Sequence, residues 1–393
     1  MDAAAAKLSD TEDLLKIAEG LSGPYVWGIY DILVLPPSYA YSGMENPCLT
    51  FISPHALKGE KAHVSLMAHE IAHSWTGNLV TNENFEHFWI NEGFPMFVGR
   101  RIQGLVSGGK AMESLEALED WKQLENYVNE VVTKDHPLTS LVVNLAGLDP
   151  DDSFNPTPYY KGSAFLWYLE DIVGGPSIMS EFLKSYYTSF AYKSLDSLKF
   201  QKHFENHFKN ESRVTSIDWD TWLNGRGMPP HRPNYDDSLS RACKDLVQKW
   251  INLDPDNSRD HTTLKMEWKI LFPEQKREFI SLLLAEEEPL AVKKLQLMEE
   301  LCQLNGEHHW WIRSRWIRLG LKGHWDDAIP RAVEMVSEGG DIMLTIGPIY
   351  QDMHAWEKAR EVALVTFERN RRGMMRVAVQ SIMKDLKISD LDN

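Results

Sequence analysis

"MAHEIAHSW", residues 67–75, holds two histidines at positions i and i+4 with Glu70 directly after the first. From Lys61 onward the apolar residues Val64, Met67, Ala68, Ile71 and Trp75 recur at helical spacing, and Gly77 stands near the expected end. On a helix, side chains four residues apart lie one above the other. His69 and His73 can therefore present two imidazole nitrogens to one point, the geometry of a shared metal. Zinc accepts imidazole and carboxylate, and its catalytic sites keep three protein ligands with a fourth position open to water. Glu70 projects toward the same space and can take the proton of that water.

A third ligand has to come from elsewhere. "HFWINEGF", residues 87–94, supplies Glu92, nineteen residues after His73 on a second predicted helix that starts near Phe88. A His-Glu-x-x-His pattern alone also arises by chance on solvated helix faces. The acid on an aromatic-flanked helix at a workable spacing favours the metal.

The rest of the chain bounds what surrounds this centre. A length of 393 residues suggests two or three domains, and 43% apolar with 11% aromatic residues is a globular composition. Lys and Arg number 41 against 57 Asp and Glu, a formal charge of −16, so nucleic acid and anionic membranes are repelled at long range. Cys48, Cys243 and Cys302 are odd in number and widely spaced. They read as buried free thiols of a reducing compartment. The opening "MDAAAAKLSDTEDLLKIAEG" places acids where a signal peptide needs an apolar core, and no run approaches a membrane span. The expected location is cytoplasmic.

Residues 10–20 read as a helix, "YVWGIYDILVLP" (25–36) as a strand pair and "NPCLTFIS" (46–53) as a further extended piece. From Phe88 to about residue 224 the pattern is mostly helical. "GRGMPPHRPNYDD" (225–237) combines three prolines with two glycines and reads as a linker. Beyond it, helical patterns alternate with short breaks, as in an array of antiparallel helices. The expected class is α+β, with a catalytic domain over 1–224, a Pro-rich linker over 225–237 and an all-α, solenoid-like domain over 238–393.

"GMENP" (43–47), "HEIAHSWTGNLVT" (69–81) and "FWINEGF" (88–94) together resemble the zinc aminopeptidases of the M1, or gluzincin, family. "GPYVWGIYDILVLPPSYAYSGMENPCLTF" (23–51) is most similar to the branch that holds leukotriene A4 hydrolase and aminopeptidase B. The likeness runs from about Leu14 to near the C-terminus. It implies a thermolysin-like catalytic domain followed by a helical C-terminal domain, and one Zn2+ per chain held by His69, His73 and Glu92. It also implies that Glu70 is the general base and that Glu45 binds the free α-amino group of a short peptide substrate. Tyr41, Ser42, Gly43 and Met44 would line the substrate ahead of Glu45. Tyr159, in "DPDDSFNPTPYYKG" (149–162), matches the tyrosine that stabilises the developing oxyanion. Asp151 matches an aspartate that directs water to a lipid epoxide in part of the branch, which adds epoxide hydrolysis as an alternative activity.

The resemblance also has gaps. Ser42 stands where the branch usually has glycine. Asp341 and Met343, in "EGGDIMLTIGP" (338–348), stand where it carries basic residues that hold a substrate carboxylate. A carboxylate ligand would there meet an anion. The family's β-rich N-terminal domain has no counterpart ahead of the first catalytic strands. Its lack is expected to expose apolar surface and weaken peptide binding, which raises a third reading: a weakly active or inactive zinc-binding paralogue that serves as a binding module.

Overall fold

The structure, a computed structural model, describes residues 2–149 and 153–388. They form two compact units that interleave along the chain: residues 1–31, 45–50 and 64–237 in the first, residues 32–44, 51–63 and 238–393 in the second. Strands are few. β1 (Asp31–Val34), β2 (Gly43–Met44) and β3 (Leu49–Ile52) form a sheet of order β1-β3-β2, in which β2 pairs antiparallel with β3, Gly43 opposite Ile52. β4 (Val80–Asn82) and β5 (Lys193–Leu195) pair in parallel, Val80 opposite Lys193.

"YVWGIYDILVLP" is expected to form two strands but forms only β1. The aromatic residues ahead of it are spent on packing and side-chain hydrogen bonds. Trp27 Nε1 donates to the Ser74 carbonyl at 2.9 Å, Tyr25 stacks edge-on to Trp75, and Gly28 turns the chain at φ +82.

In the first unit α1 (Asp2–Lys7) and α2 (Thr11–Ser22) precede α3 (Val64–Ala72), the helix foreseen from the apolar spacing. Met67, Ala68 and Ile71 on α3 are fully buried. α4 (Phe88–Val106) runs through the core, with sixteen of its nineteen residues buried. A helix apolar on all sides belongs in the interior. α5 (Gly109–Asn126) and α6 (Gly162–Val173) pack on it, α7 (Pro176–Phe190) and α8 (Ser197–His207) reach it through Tyr186 on Phe94 and Phe200 on Trp89, and α9 (Trp219–Asn224) packs on α6 through Trp222 and Phe165.

Two glycines let neighbouring backbones approach α4. A Cβ at Gly99 would come within 3.2 Å of the His69 nitrogen, and one at Gly93 within 2.8 Å of Gly162 Cα. Arginines fix α4 from its far end. Arg100 grips Asp120 of α5 at 3.0 and 2.7 Å, and Arg101 grips Glu170 of α6 at 2.8 and 2.9 Å while reaching Glu113 at 2.6 Å. Bidentate guanidinium–carboxylate pairs define direction as well as distance. Gly93→Ala should lower the melting temperature, because a methyl against three backbone atoms costs about 1–3 kcal/mol of overpacking; thermal unfolding of the variant measures it.

Residues 225–237, read as a linker, are held to the first unit. Tyr235 packs edge-on to Trp167, and Arg232 lies over Trp121.

The second unit is helical apart from its share of the first sheet. Helix Ser238–Asn252 packs on Pro273–Ala285, which packs on Trp310–Lys322, which packs in turn on Ala328–Glu338. Helix Trp310–Lys322 serves two apolar clusters, giving Trp316 to that of Trp250 and Phe279, and Trp310 to that of Met335 and Tyr350. Such sharing makes the array continuous.

Asp341 is buried here and caps a short π-turn, Ile342–Ile346, accepting from Leu344 N and from Ser42 Oγ, both at 2.7 Å. Burial raises its carboxyl pKa, against hydrogen bonds from Leu344 and Ser42 that lower it. Met343 is exposed. Of the three cysteines only Cys243 is buried; Cys48 and Cys302 are half-buried. No described helix is long and apolar enough to cross a membrane.

Candidate metal centre

α3 ends at Ala72, so His69 lies inside the helix and His73 on the turn that follows, where its N–H still reaches the His69 carbonyl at 3.2 Å. The stacking expected of positions i and i+4 is therefore kept. The two Nε2 atoms face each other at 3.1 Å, and each lies 3.4 Å from Glu92 Oε2 of α4. Three ligands on a tetrahedral zinc, at bond lengths near 2.05 Å, are about 3.3 Å apart. The triangle has that size.

Its protonation also suits a cation. His73 Nδ1 lies 3.1 Å from the Thr76 carbonyl, which needs the proton on Nδ1 and leaves the Nε2 lone pair toward the triangle. The His73 Nε2 lone pair and the His69 Nε2 atom then face one buried carboxylate oxygen, Glu92 Oε2, that has no hydrogen-bond partner. Unpaired buried polar atoms are costly, and a divalent cation satisfies all three.

Glu70 is buried beside them. One of its carboxylate oxygens, a Glu45 oxygen and a His73 nitrogen lie within 4.8 Å of one another, and Oε2 has no hydrogen-bond partner. Burial pushes its carboxyl well above the ordinary range; His73 opposes this, and the Glu45 and Glu92 charges add to it.

Glu45 approaches from the strand segment, with Oε1 at 3.7 Å from His73 Nδ1 and its carbonyl accepting from Asn78 Nδ2 at 2.8 Å. Tyr159 sits in a π-turn, Thr157–Lys161, ahead of α6. Its ring stacks near His69 at 6.3 Å. Burial, the Glu92 and Glu45 carboxylates and a hydrogen bond to Glu92 push the phenol well above its usual pKa. It stays an O–H donor.

His69, Glu70, His73, Glu92, Glu45 and Tyr159 are thus brought together within the first unit. Tyr41, Ser42, Gly43 and Met44 belong to the second: Gly43 and Met44 form β2, Tyr41 packs on the apolar cluster of Trp310, and Ser42 is bonded to Asp341. Asp151 lies outside the described residues.

One residue escaped the sequence reading. Asn91 Nδ2 donates at 3.0 Å to both Glu45 Oε1 and Glu92 Oε1, joining the two carboxylates through one amide. The signal was its place beside Glu92. Gly77 makes room for it: at φ +108, a Cβ there would fall 2.5 Å from Asn91 Oδ1. Asn91→Ala should weaken zinc binding by about 10–100-fold, as loss of a ligand's outer partner does. Competition with a chromophoric chelator measures it.

Comparison with known proteins agrees with this geometry. The Peptidase family M1 domain profile matches residues 7–222, and the "Leukotriene A4 hydrolase, C-terminal" profile matches residues 271–386. The leukotriene A-4 hydrolase of Xenopus laevis is 44% identical over 98% of this chain and 62% of its own length. A leucine aminopeptidase 2 of Neurospora crassa is 34% identical over 98% of this chain and 57% of its own. The structure of yeast LTA4 hydrolase in complex with bestatin superposes with a TM-score of 0.92 at 28% identity, covering 99% of this chain and 64% of that one. The chain spans about three fifths of the length of the curated relatives it matches. The match in fold covers both the α+β part and the helical array. Because the M1 profile runs through more than half of the sequence and encloses the histidine pair, Glu92 and Tyr159 alike, the chain belongs to peptidase family M1.

Proposed function

We propose that the chain is a zinc aminopeptidase that removes N-terminal residues from short peptides. The observation that carries this reading is Glu45, an anion tied through Asn91 to the triangle of His69, His73 and Glu92. A carboxylate at that place suits a substrate ammonium and so selects a free chain end. The three triangle residues would hold one Zn2+, which when bound supplies a Lewis acid for the scissile carbonyl and the attacking water.

The protein's own groups do the rest. Glu45 binds the α-ammonium and sets the register of the peptide. Glu70 takes a proton from the attacking water on its carboxylate and returns it to the leaving amine. The Tyr159 O–H donates to the oxygen on which charge develops. We assign this chemistry to a domain of residues 1–224, joined by 225–237 to a helical domain of 238–393. The charge of −16 favours peptide over nucleic-acid ligands, and three free cysteines suit a cytoplasmic, reducing setting.

Hydrolysis of aminoacyl-anilides and tripeptides, with and without N-acetylation, tests the reading. Free substrates should be cut and acetylated ones spared; zinc-loaded protein that cuts neither, or both alike, rejects it. A second reading, hydrolysis of a lipid epoxide at the same centre, is favoured by the 44% identity to a leukotriene A-4 hydrolase. Against it, Asp341 and Met343 occupy the positions at which the branch carries basic residues for a substrate carboxylate, and neither supplies a cation. Incubation with the lipid epoxide under conditions in which peptides are cut decides it by whether a dihydroxy product forms. Zinc at one per chain with neither activity would instead favour the binding-module reading.

A further inference from the structure

Lys161 is one of the most deeply buried side chains among the described residues, at 1% exposure, yet no described carboxylate is bonded to it. Its ammonium donates to three backbone carbonyl oxygens: Thr139 at 2.9 Å, Gly225 at 2.7 Å and Gly227 at 3.0 Å. An ammonium has three N–H donors and no acceptor, so the side chain is saturated. The acceptors belong to two segments that are themselves laced together. Gly227 N donates to Thr139 Oγ1 at 2.8 Å, Ser140 Oγ to the Asn224 carbonyl at 3.0 Å, and Val142 N to the Leu223 carbonyl at 2.8 Å. Lys161 is the pin through this frame.

What the pin holds is the end of the π-turn Thr157–Lys161, which carries Tyr159 two residues earlier. The next residue, Gly162, lies against Gly93 of α4, the neighbour of Glu92, closely enough that a Cβ on Gly162 would be 3.0 Å from Gly93 Cα. At its start the turn is tied by Asn155 Oδ1, which accepts from Thr157 N at 2.9 Å. A π-turn contains one residue more than an α-turn of the same span. Without a fixed end it can relax toward α-helix and rotate the intervening side chains.

We propose that Lys161 is a positioning residue for Tyr159: its three carbonyl contacts hold the π-turn that aims the phenol at the metal centre. Burial lowers the lysine pKa to about 8, so the buried amine is chosen against its own hydration and in favour of those contacts. The use of the phenol in turnover rests on the aminopeptidase reading. Its placement does not.

The test combines Lys161→Met with Tyr159→Phe in the zinc-loaded chain. Lys161→Met should lower kcat for an aminoacyl-anilide by about tenfold or more, with KM changed less than about twofold and one zinc per chain retained. In the Tyr159→Phe background the same substitution should change kcat by less than about twofold, since a group that acts through the phenol has nothing left to position. Equal losses in both backgrounds overturn the proposal. A readout independent of activity is the resonance of Tyr159 in protein labelled with ¹³C at the tyrosine ζ carbon, assigned by its loss in Tyr159→Phe. It should shift or broaden in Lys161→Met; an unchanged resonance in the folded variant also overturns the proposal. If Lys161→Met does not fold, Lys161→Gln takes its place in every arm. Wild-type protein without turnover would remove the aminopeptidase reading, and the resonance would still decide the role of Lys161.

Discussion

Glu70→Gln is expected to lower kcat for aminoacyl-anilides by about 10³-fold, within the range that general acid–base catalysis contributes. The substitution keeps shape and volume and removes only the ability to accept a proton. It leaves the zinc triangle untouched, since His69, His73 and Glu92 meet one another without Glu70. Zinc should remain at one per chain, which separates a lost base from a lost metal. Tm should not fall either, because Glu70 Oε2 makes no hydrogen bond that an amide would forfeit, and one buried carboxylate fewer lies beside Glu45 and Glu92. Metal content by atomic emission, thermal unfolding and kcat on the same preparation supply the three readings. Turnover within about tenfold of wild type would assign the proton to another group.

The residues of this centre were legible to different depths. α3 and α4 were visible because apolar spacing reports a helix directly, and His69, His73 and Glu92 followed from the reach of side chains on those helices. Apolar spacing does not report how closely two helices pass. That is set by Gly99 beside His69 and Gly93 beside Gly162, and a glycine in a helix names a close neighbour only once the neighbour is known. Asn91 was hidden for the same reason: one amide between two carboxylates requires that both already have positions.

Ser42 and Asp341 show the limit most plainly. In sequence they are two separate departures from the family pattern, 299 residues apart. In the structure they are one hydrogen bond, and an anion expected to face a substrate is a buried cap with its oxygens engaged. The interleaving of the two units was equally out of reach. Proline and glycine mark where a chain changes direction, whereas the assignment of residues 32–44 and 51–63 to the second unit depends on packing against helices some 250 residues later, such as Trp310 against Lys58 and His55.

Tyr159→Phe should lower kcat by about 10²–10³-fold with little change in KM, the loss found when one donor to a developing oxyanion is removed. Phenylalanine keeps the ring, and with it the contacts to Phe88, Phe154 and His69. The measured difference is then that of one O–H. The phenol is suited to the task by the same neighbours that raise its pKa: burial and the charges of Glu92 and Glu45 keep the proton on the oxygen through the working pH range. A phenol that keeps its proton beside these carboxylates can donate a hydrogen bond to the more strongly charged oxygen that develops in the transition state. The sign of the KM effect separates this role from substrate binding. A donor that serves the ground state as well as the transition state raises KM when lost, whereas one that serves only the transition state lowers kcat and kcat/KM equally. A variant with unchanged kcat and raised KM would move Tyr159 from the chemistry to the binding of the peptide.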